Sequence, residues 1–170
     1  SQVRVSSNGF VTFNDNAASG CCSGQSLPNG STPDNIIAMW WEDLDPPEGT
    51  GLTQHETLGT SPEQVFVVSC ETVQHFPSGN EVTLQLQLFE ATGLAEVHYI
   101  DANADSGNHT VGVENADGTL GDAWLNAAPA VAQVATALRI QPLYEGDEDG
   151  DGIALHPATG ELYVLFESND

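Results

Sequence analysis

Residues Val82 to Phe89 alternate without a break: Val82, Leu84, Leu86 and Leu88 fall on one side, Thr83, Gln85, Gln87 and Phe89 on the other. Period 2 belongs to a half-buried antiparallel strand and does not fit a helix. Other apolar runs have the same strand-like length and end at turn residues. Val3-Arg4-Val5 and Phe10-Val11-Thr12-Phe13 flank Asn8-Gly9, a strong hairpin signal because both residues tolerate positive φ. Ile36 to Trp41 is a continuous apolar run and Val65 to Cys70 is apolar but for Ser69; both are expected to be buried strands. Pro46-Pro47 stops the first of them. Further strands are expected at 95–100, 110–114 and 137–141, with 127–135 readable as either a short helix or a loop. Eight to ten short strands between turns predict an all-β chain, an antiparallel β-sandwich of jelly-roll type.

Charge narrows the partners. The 170 residues carry 25 Asp and Glu against two Lys and Arg, a formal net charge of −23. Polyanions such as DNA or RNA would be repelled, so nucleic acid is excluded as a partner. No stretch reaches the roughly 20 apolar residues of a membrane span, so no membrane insertion is expected. Ser1 opens no signal-peptide pattern, which a mature chain would also lack. Abundant Gly, Asn, Thr and Ser with almost no Lys point to a secreted, extracellular or cell-surface protein. With so few basic partners, the carboxylates need solvent cations, and Ca²⁺ is the expected cofactor.

The chain divides into a sandwich domain, 1–143, and a C-terminal segment, 144–170. That segment holds an acidic loop and a second hairpin, in which Ile153 to His156 and Glu161 to Phe166 flank a Pro/Gly turn.

Three carboxylate groups are candidate Ca²⁺ ligands. Asp147, Asp149 and Asp151 stand at positions 1, 3 and 5 of an EF-hand-like loop, with Gly152 at 6 and the Ile153 carbonyl at 7. Position 12 is Ala158 where an EF-hand has Glu, so a partial loop is the expectation, with a solvated acidic linker as the competing reading. Glu42, Asp43 and Asp45 cluster at the end of the Trp-rich strand. Asp101, Asn103 and Asp105 alternate in what also reads as a polar hairpin loop built on Asx-turns.

The five histidines, His55, His75, His98, His109 and His156, show no metal-binding spacing, and no His-Glu-x-x-His is present. A zinc site would have to be assembled in three dimensions. No Gly-x-Ser-x-Gly elbow or phosphate-cradling loop occurs, so no catalytic residue is assigned. Cys21, Cys22 and Cys70 are disulfide candidates: either of the first two with Cys70, or the vicinal pair, leaving Cys70 as a buried thiol. Trp40, Trp41 and Trp124, with Phe89 and Tyr99, are candidates for a sugar-stacking surface, although alternation sends Trp40 and Trp41 to opposite faces.

Five segments in order carry a resemblance: Asn-Gly-Phe-Val-Thr-Phe (8–13), Ile-Ile-Ala-Met-Trp-Trp-Glu-Asp-Leu-Asp (36–45), Val-Phe-Val-Val-Ser-Cys-Glu-Thr-Val (65–73), Leu-Gln-Leu-Phe-Glu (86–90) and His-Thr-Val-Gly-Val-Glu-Asn-Ala-Asp-Gly-Thr (109–119). Together they resemble the nidogen-type extracellular β domain and its relatives in large secreted bacterial proteins, over about residues 3–141. Trp41, Glu42, Asp43 and Leu44 match the latter half of that family's central strand; Met39 and Trp40 replace its Pro-Phe. Cys70 stands where the family often has Trp. The resemblance implies a non-enzymatic adhesive or matrix module. The apolar hairpin beyond that span adds a separate expectation, that copies of the chain join through strand addition into fibres; extracellular protein or glycan is the other expected partner. A Ca²⁺-dependent carbohydrate-binding jelly roll is the alternative.

Overall fold

The computed structural model describes residues 2–14, 22–46, 50–77, 79–130, 133–142, 153–156 and 161–164. Among them there is no helix, hence none long and apolar enough to cross a membrane. The strands are β1 (Arg4–Val5), β2 (Phe10–Thr12), β3 (Ile36–Trp41), β4 (Leu44–Asp45), β5 (Leu52–Leu58), β6 (Val65–His75), β7 (Glu81–Phe89), β8 (Ala95–Ala102), β9 (Asn108–Glu114), β10 (Gly121–Pro129), β11 (Gln133–Pro142), β12 (Ile153–His156) and β13 (Glu161–Val164).

They form two sheets packed as a sandwich. The smaller runs β1-β2-β3-β9-β10; the larger runs β12-β13-β11-β8-β7-β6-β4, with β5 also paired to β6. Asn8-Gly9 turns β1 into β2, with Val5 opposite Val11. The alternation of β7 holds: Val82, Leu84 and Leu86 are buried, and Thr83, Gln85 and Gln87 lie half-buried on the other face. The inward residues of both sheets make the main core. Val11, Ile37, Met39 and Trp40 come from the smaller sheet, and Val68, Val82, Leu84, Val97 and Leu138 are among those from the larger. Each large apolar side chain sealed there contributes roughly 1.5–3 kcal/mol.

A bulge in β3 resets the direction in which its last side chains point. Met39 and Trp40 both donate their amides to the Gly9 carbonyl, so two residues oppose one. Both side chains therefore enter the main core, and Trp41 is the next to point outward. Trp41 joins Phe10, Leu27, Ile36 and Ala38 in a second, smaller core on the outer face of the smaller sheet, its ring tilted against Phe10 with centroids 5.1 Å apart. Segment 22–35 lies over that face: the Leu27 amide and carbonyl bond Asn126, and the Asn29 amide bonds Glu114.

Two expectations need adjustment. Cys70 is a buried free thiol in the main core, 3.7 Å from the Thr53 hydroxyl, so a Cys21–Cys70 or Cys22–Cys70 bridge is corrected. Its inward position on β6 encloses it within the larger sheet's core face. The vicinal alternative involves Cys21, outside the described residues. The segment 127–135 is neither helix nor plain loop: β10 runs to Pro129 and β11 starts at Gln133. The C-terminal hairpin continues the larger sheet, β13 pairing parallel to β11 with Ile140 opposite Leu162.

Candidate functional site

Alternation past the β3 bulge turns Glu42 inward, one step beyond the outward Trp41. The inward set of β6 ends at Val73 and His75, and the β4–β6 pairing places Leu44 opposite His75. On β9 the odd residues His109, Val111 and Val113 face inward. Glu42, His75 and His109 thereby meet at one end of the sandwich interior. One ligand-type atom from each lies within 4.8 Å of the others, the one such group of three or more His, Cys, Asp or Glu among the described residues. The three are 3%, 1% and 0% exposed, all buried.

The hydrogen bonds assign the imidazole protons. His75 Nε2 lies 2.8 Å from the Asn103 carbonyl, which can only accept, so Nε2 carries a proton. Its Nδ1 faces Glu42 Oε2 at 2.8 Å. His109 Nδ1 donates to the Gly107 carbonyl at 3.1 Å, which leaves Nε2 as its lone-pair nitrogen. That nitrogen is buried without a hydrogen-bond partner, 3.6 Å from Asp105 Oδ1. Trp40 packs on one side of the His109 ring and His75 on another, at centroid distances of 4.9 and 5.4 Å.

This packing determines the electrostatics. Burial pushes the Glu42 carboxyl up; the hydrogen bond and charge of His75 oppose this, and the charge of Asp105 reinforces it. Burial works against a charged His75, but its bonds to Glu42 and Asn103 and the nearby carboxylates outweigh it and raise its pKa. The pair thus holds its shared proton firmly. His109 is pushed down, first by burial and then by the charge of His75, and stays neutral. A neutral imidazole nitrogen then faces the Asp105 carboxylate, two acceptors with no donor between them.

A second polar group lies at the other end of β9. Glu114 points outward beneath segment 22–35; its Oε2 accepts the Asn29 amide at 2.6 Å, while Oε1 is buried with no partner. Asp34 Oδ1 is likewise buried and unpartnered. Burial raises the Glu114 pKa to about 7, opposed by the Asn29 amide and reinforced by the charge of Asp34.

The predicted clusters are divided by the fold. Glu42 turns into the core, whereas Asp43 and Asp45 stay half-buried outside it. Burial, then the charge of Asp45, raises Asp43. Asp101 accepts a bond from the Asn103 amide at 3.1 Å. Asn103 contributes its backbone carbonyl to His75, and Asp105 its carboxylate to the His109 end. Asp147, Asp149 and Asp151 lie outside the described residues, and Ile153 opens β12. Of the aromatic candidates, Trp40, Trp41 and Tyr99 are buried, Phe89 is half-buried and Trp124 is 52% exposed. Trp124 borders a cavity of about 60 Å³ that Trp40, Tyr99, Val111 and Leu138 also line.

The His75–His109 convergence and the Asp34–Glu114 pair were not anticipated from sequence. Strand parity alone could have turned His75, His109 and Glu42 to one face, given the bulge.

The family model described as NIDO related matches residues 1–165, a span that includes the C-terminal hairpin and exceeds the 3–141 of the sequence resemblance. No curated protein and no solved structure matches.

Proposed function

The chain belongs to the NIDO-related family, a structural domain family that is extracellular in general, and we propose that it is a non-enzymatic adhesion or matrix module. The observation that supports this reading is the sealing of Glu42, His75 and His109. Side chains of the kind that perform acid–base chemistry converge there, but at 3% exposure or less they offer no space for a substrate. Such a group acts on the stability of the sandwich, tying the β3–β4 corner to β6 and β9.

Ca²⁺ bracing belongs to the same proposal. A charge of −23 needs counter-cations, and the unpartnered oxygens of Asp34 and Glu114 add candidate ligands to the 147–151 loop. Assembly of copies would take the form of exchange of the terminal hairpin: β13, paired in its own chain to β11, would add to a neighbour's β11 instead. The test is thermal melting with Ca²⁺ and with chelator, read together with particle size. A ligand selective for the folded chain raises its melting temperature. Unchanged melting sinks the Ca²⁺ claim. Unchanged particle size on deletion of residues 145–170 sinks assembly through the hairpin.

A glycan-binding reading is favoured by one observation, the exposed Trp124 beside an apolar cavity. Glycan-array binding that Trp124→Ala abolishes would support it; an array without signal would dismiss it.

A further inference from the structure

We propose that Glu42, His75 and His109, with Asp105 at the entrance, form a binding site for one borderline divalent transition ion of the Zn²⁺ class. The proposal rests on the structural reading of the cluster and names the ligand that would complete it.

Four observations carry it. The donor atoms of Glu42, His75 and His109 already converge from separate elements, within 4.8 Å of one another. Both imidazoles are oriented as metal ligands are: each donates its outer N–H to a backbone carbonyl, His75 Nε2 to Asn103 and His109 Nδ1 to Gly107. The remaining nitrogens, His75 Nδ1 and His109 Nε2, are left for the interior. Ligating histidines use this outer-shell bond to fix their tautomer and ring plane. His109 Nε2, in a side chain that is 0% exposed, has no hydrogen-bond partner. A buried acceptor left this way costs about 1–3 kcal/mol unless something meets it. Finally, the Asp105 carboxylate stands 3.6 Å from that nitrogen, where two acceptors oppose each other. A cation between them converts that repulsion into two bonds.

The donor chemistry selects the ion. Two imidazole nitrogens and two carboxylates suit four-coordinate Zn²⁺, whereas Ca²⁺ takes six to eight oxygens. The ion would displace the proton between His75 and Glu42, and two carboxylates would balance its charge. Asp105, at 13% exposed, marks the way in. Gly107 lets its loop lie close against both carboxylates: a Cβ there would stand 2.8 Å from Glu42 Oε1 and 2.9 Å from Asp105 Oδ1.

The experiment strips the full chain with chelator and titrates it with Zn²⁺ alone by calorimetry. A parallel titration with Co²⁺ is followed by visible absorption. One equivalent should bind, with the intense d–d bands of four-coordinate Co²⁺ and no thiolate charge-transfer band. His109→Gln should weaken binding by more than the roughly 10–100-fold of an outer-shell change. His55→Gln, a surface control, should leave it unchanged. No Zn²⁺ binding by the wild-type chain, or a thiolate band placing the metal on cysteine, overturns the site. The wild-type Co²⁺ spectrum decides the matter even if His109→Gln does not fold. The two readings fail separately. A stripped chain that binds Zn²⁺ but, without metal, loses no stability on His109→Gln keeps the site and removes the structural role of the metal-free cluster. Destabilisation by His109→Gln in a chain that binds no Zn²⁺ keeps the structural role and removes the site.

Discussion

The two ends of β9 solve the same problem in different ways. Each buries a glutamate in a chain with two Lys and Arg to offer. At the His109 end, the inward face of the strand meets β6 and the β3–β4 corner, and Glu42 finds the His75 imidazole at 2.8 Å. At the other, the outward face meets segment 22–35, and Glu114 finds a backbone amide and the like charge of Asp34. The inner cluster mixes nitrogen with oxygen and carries its own proton. The outer one is all carboxylate on its charged side and must neutralise by taking a proton or a hard cation. Burial of a carboxylate therefore has opposite consequences at the two ends. Inside, removing the glutamate should strip an imidazolium of its counter-charge; outside, neutralising it should relieve repulsion.

The largest expected effect tests the inner half of this contrast. Glu42→Ala leaves His75 buried, with its Nδ1 unpaired, and breaking a buried pair by removing one partner costs about 3–5 kcal/mol. Denaturant unfolding should show a loss of that order. A loss under about 1 kcal/mol would mean that water replaces Glu42 at no cost and that the cluster pins nothing.

Next comes Gly118→Ala, which strikes the outer end through the backbone. Gly118 has φ of +67°, and a Cβ there would run into the Asn29 carbonyl oxygen and lie 2.8 Å from Asp34 Oδ1. Left-handed strain and overpacking together predict roughly 1–3 kcal/mol of destabilisation. The effect should exceed that of Gly107→Ala, whose nearest contacts are side-chain oxygens able to give way. Equal losses in the two variants would remove the idea that the loop over Glu114 is held more rigidly than the entrance to the inner cluster.

How much of this was legible beforehand depends on where each signal was stored. The strands of the main core were readable because alternation is local, as in Val82–Leu86, and the Asn8-Gly9 turn announced its own hairpin. β5 was not: Leu52–Leu58 is exposed along nearly its whole length, so its polar sequence carries no buried stripe. β10 was hidden by two register shifts and a positive φ of 47° at Ala127, which scramble its parity. The inner cluster left no spacing signature, since Glu42 and His75 are 33 residues apart and meet only through sheet pairing. The β3 bulge also sets the parity of Glu42. Without it, a strict count would turn Trp40 outward and Trp41 inward, and Glu42 away from the histidines. The carboxylates at 42–45 and 101–105 were seen as two groups of neighbours, but alternation divides each group and joins Glu42 to Asp105 across the fold.

The outer end makes a prediction with a sign. Glu114 has a folded pKa of about 7, above the ordinary carboxylate value of 4.5. The native chain therefore keeps a proton that the unfolded chain has released. The stability tied to this proton is fully present below pH 4.5 and is lost as pH rises through about 7. Glu114→Gln removes that dependence while its amide oxygen still accepts from Asn29. Melting curves should show the variant gaining on the wild type between pH 5 and pH 8. A gap that stays constant across this range would show that Glu114 is already ionised at pH 5, with a cation or water on Oε1.

The smallest effect on stability should come from Asp105→Asn, and it returns to the inner end. Asp105 Oδ1 accepts the Gly107 amide at 2.6 Å, a bond that an asparagine oxygen can also make. The entrance loop should hold, with a change of less than about 1 kcal/mol. What changes is the charge opposite His109 Nε2. If that nitrogen waits for a cation, the variant loses a charged ligand and should bind Zn²⁺ more weakly than the wild type in calorimetric titration, with unfolding nearly unaltered. If the gap between His109 and Asp105 is merely an unrelieved repulsion, replacing the carboxylate with an amide takes the negative charge off the oxygen that faces the nitrogen, and the variant melts higher than the wild type whether or not Zn²⁺ is present. A metal-dependent loss makes the inner end a binding site, while a metal-independent gain leaves it a buried ion pair beside an uncompensated imidazole.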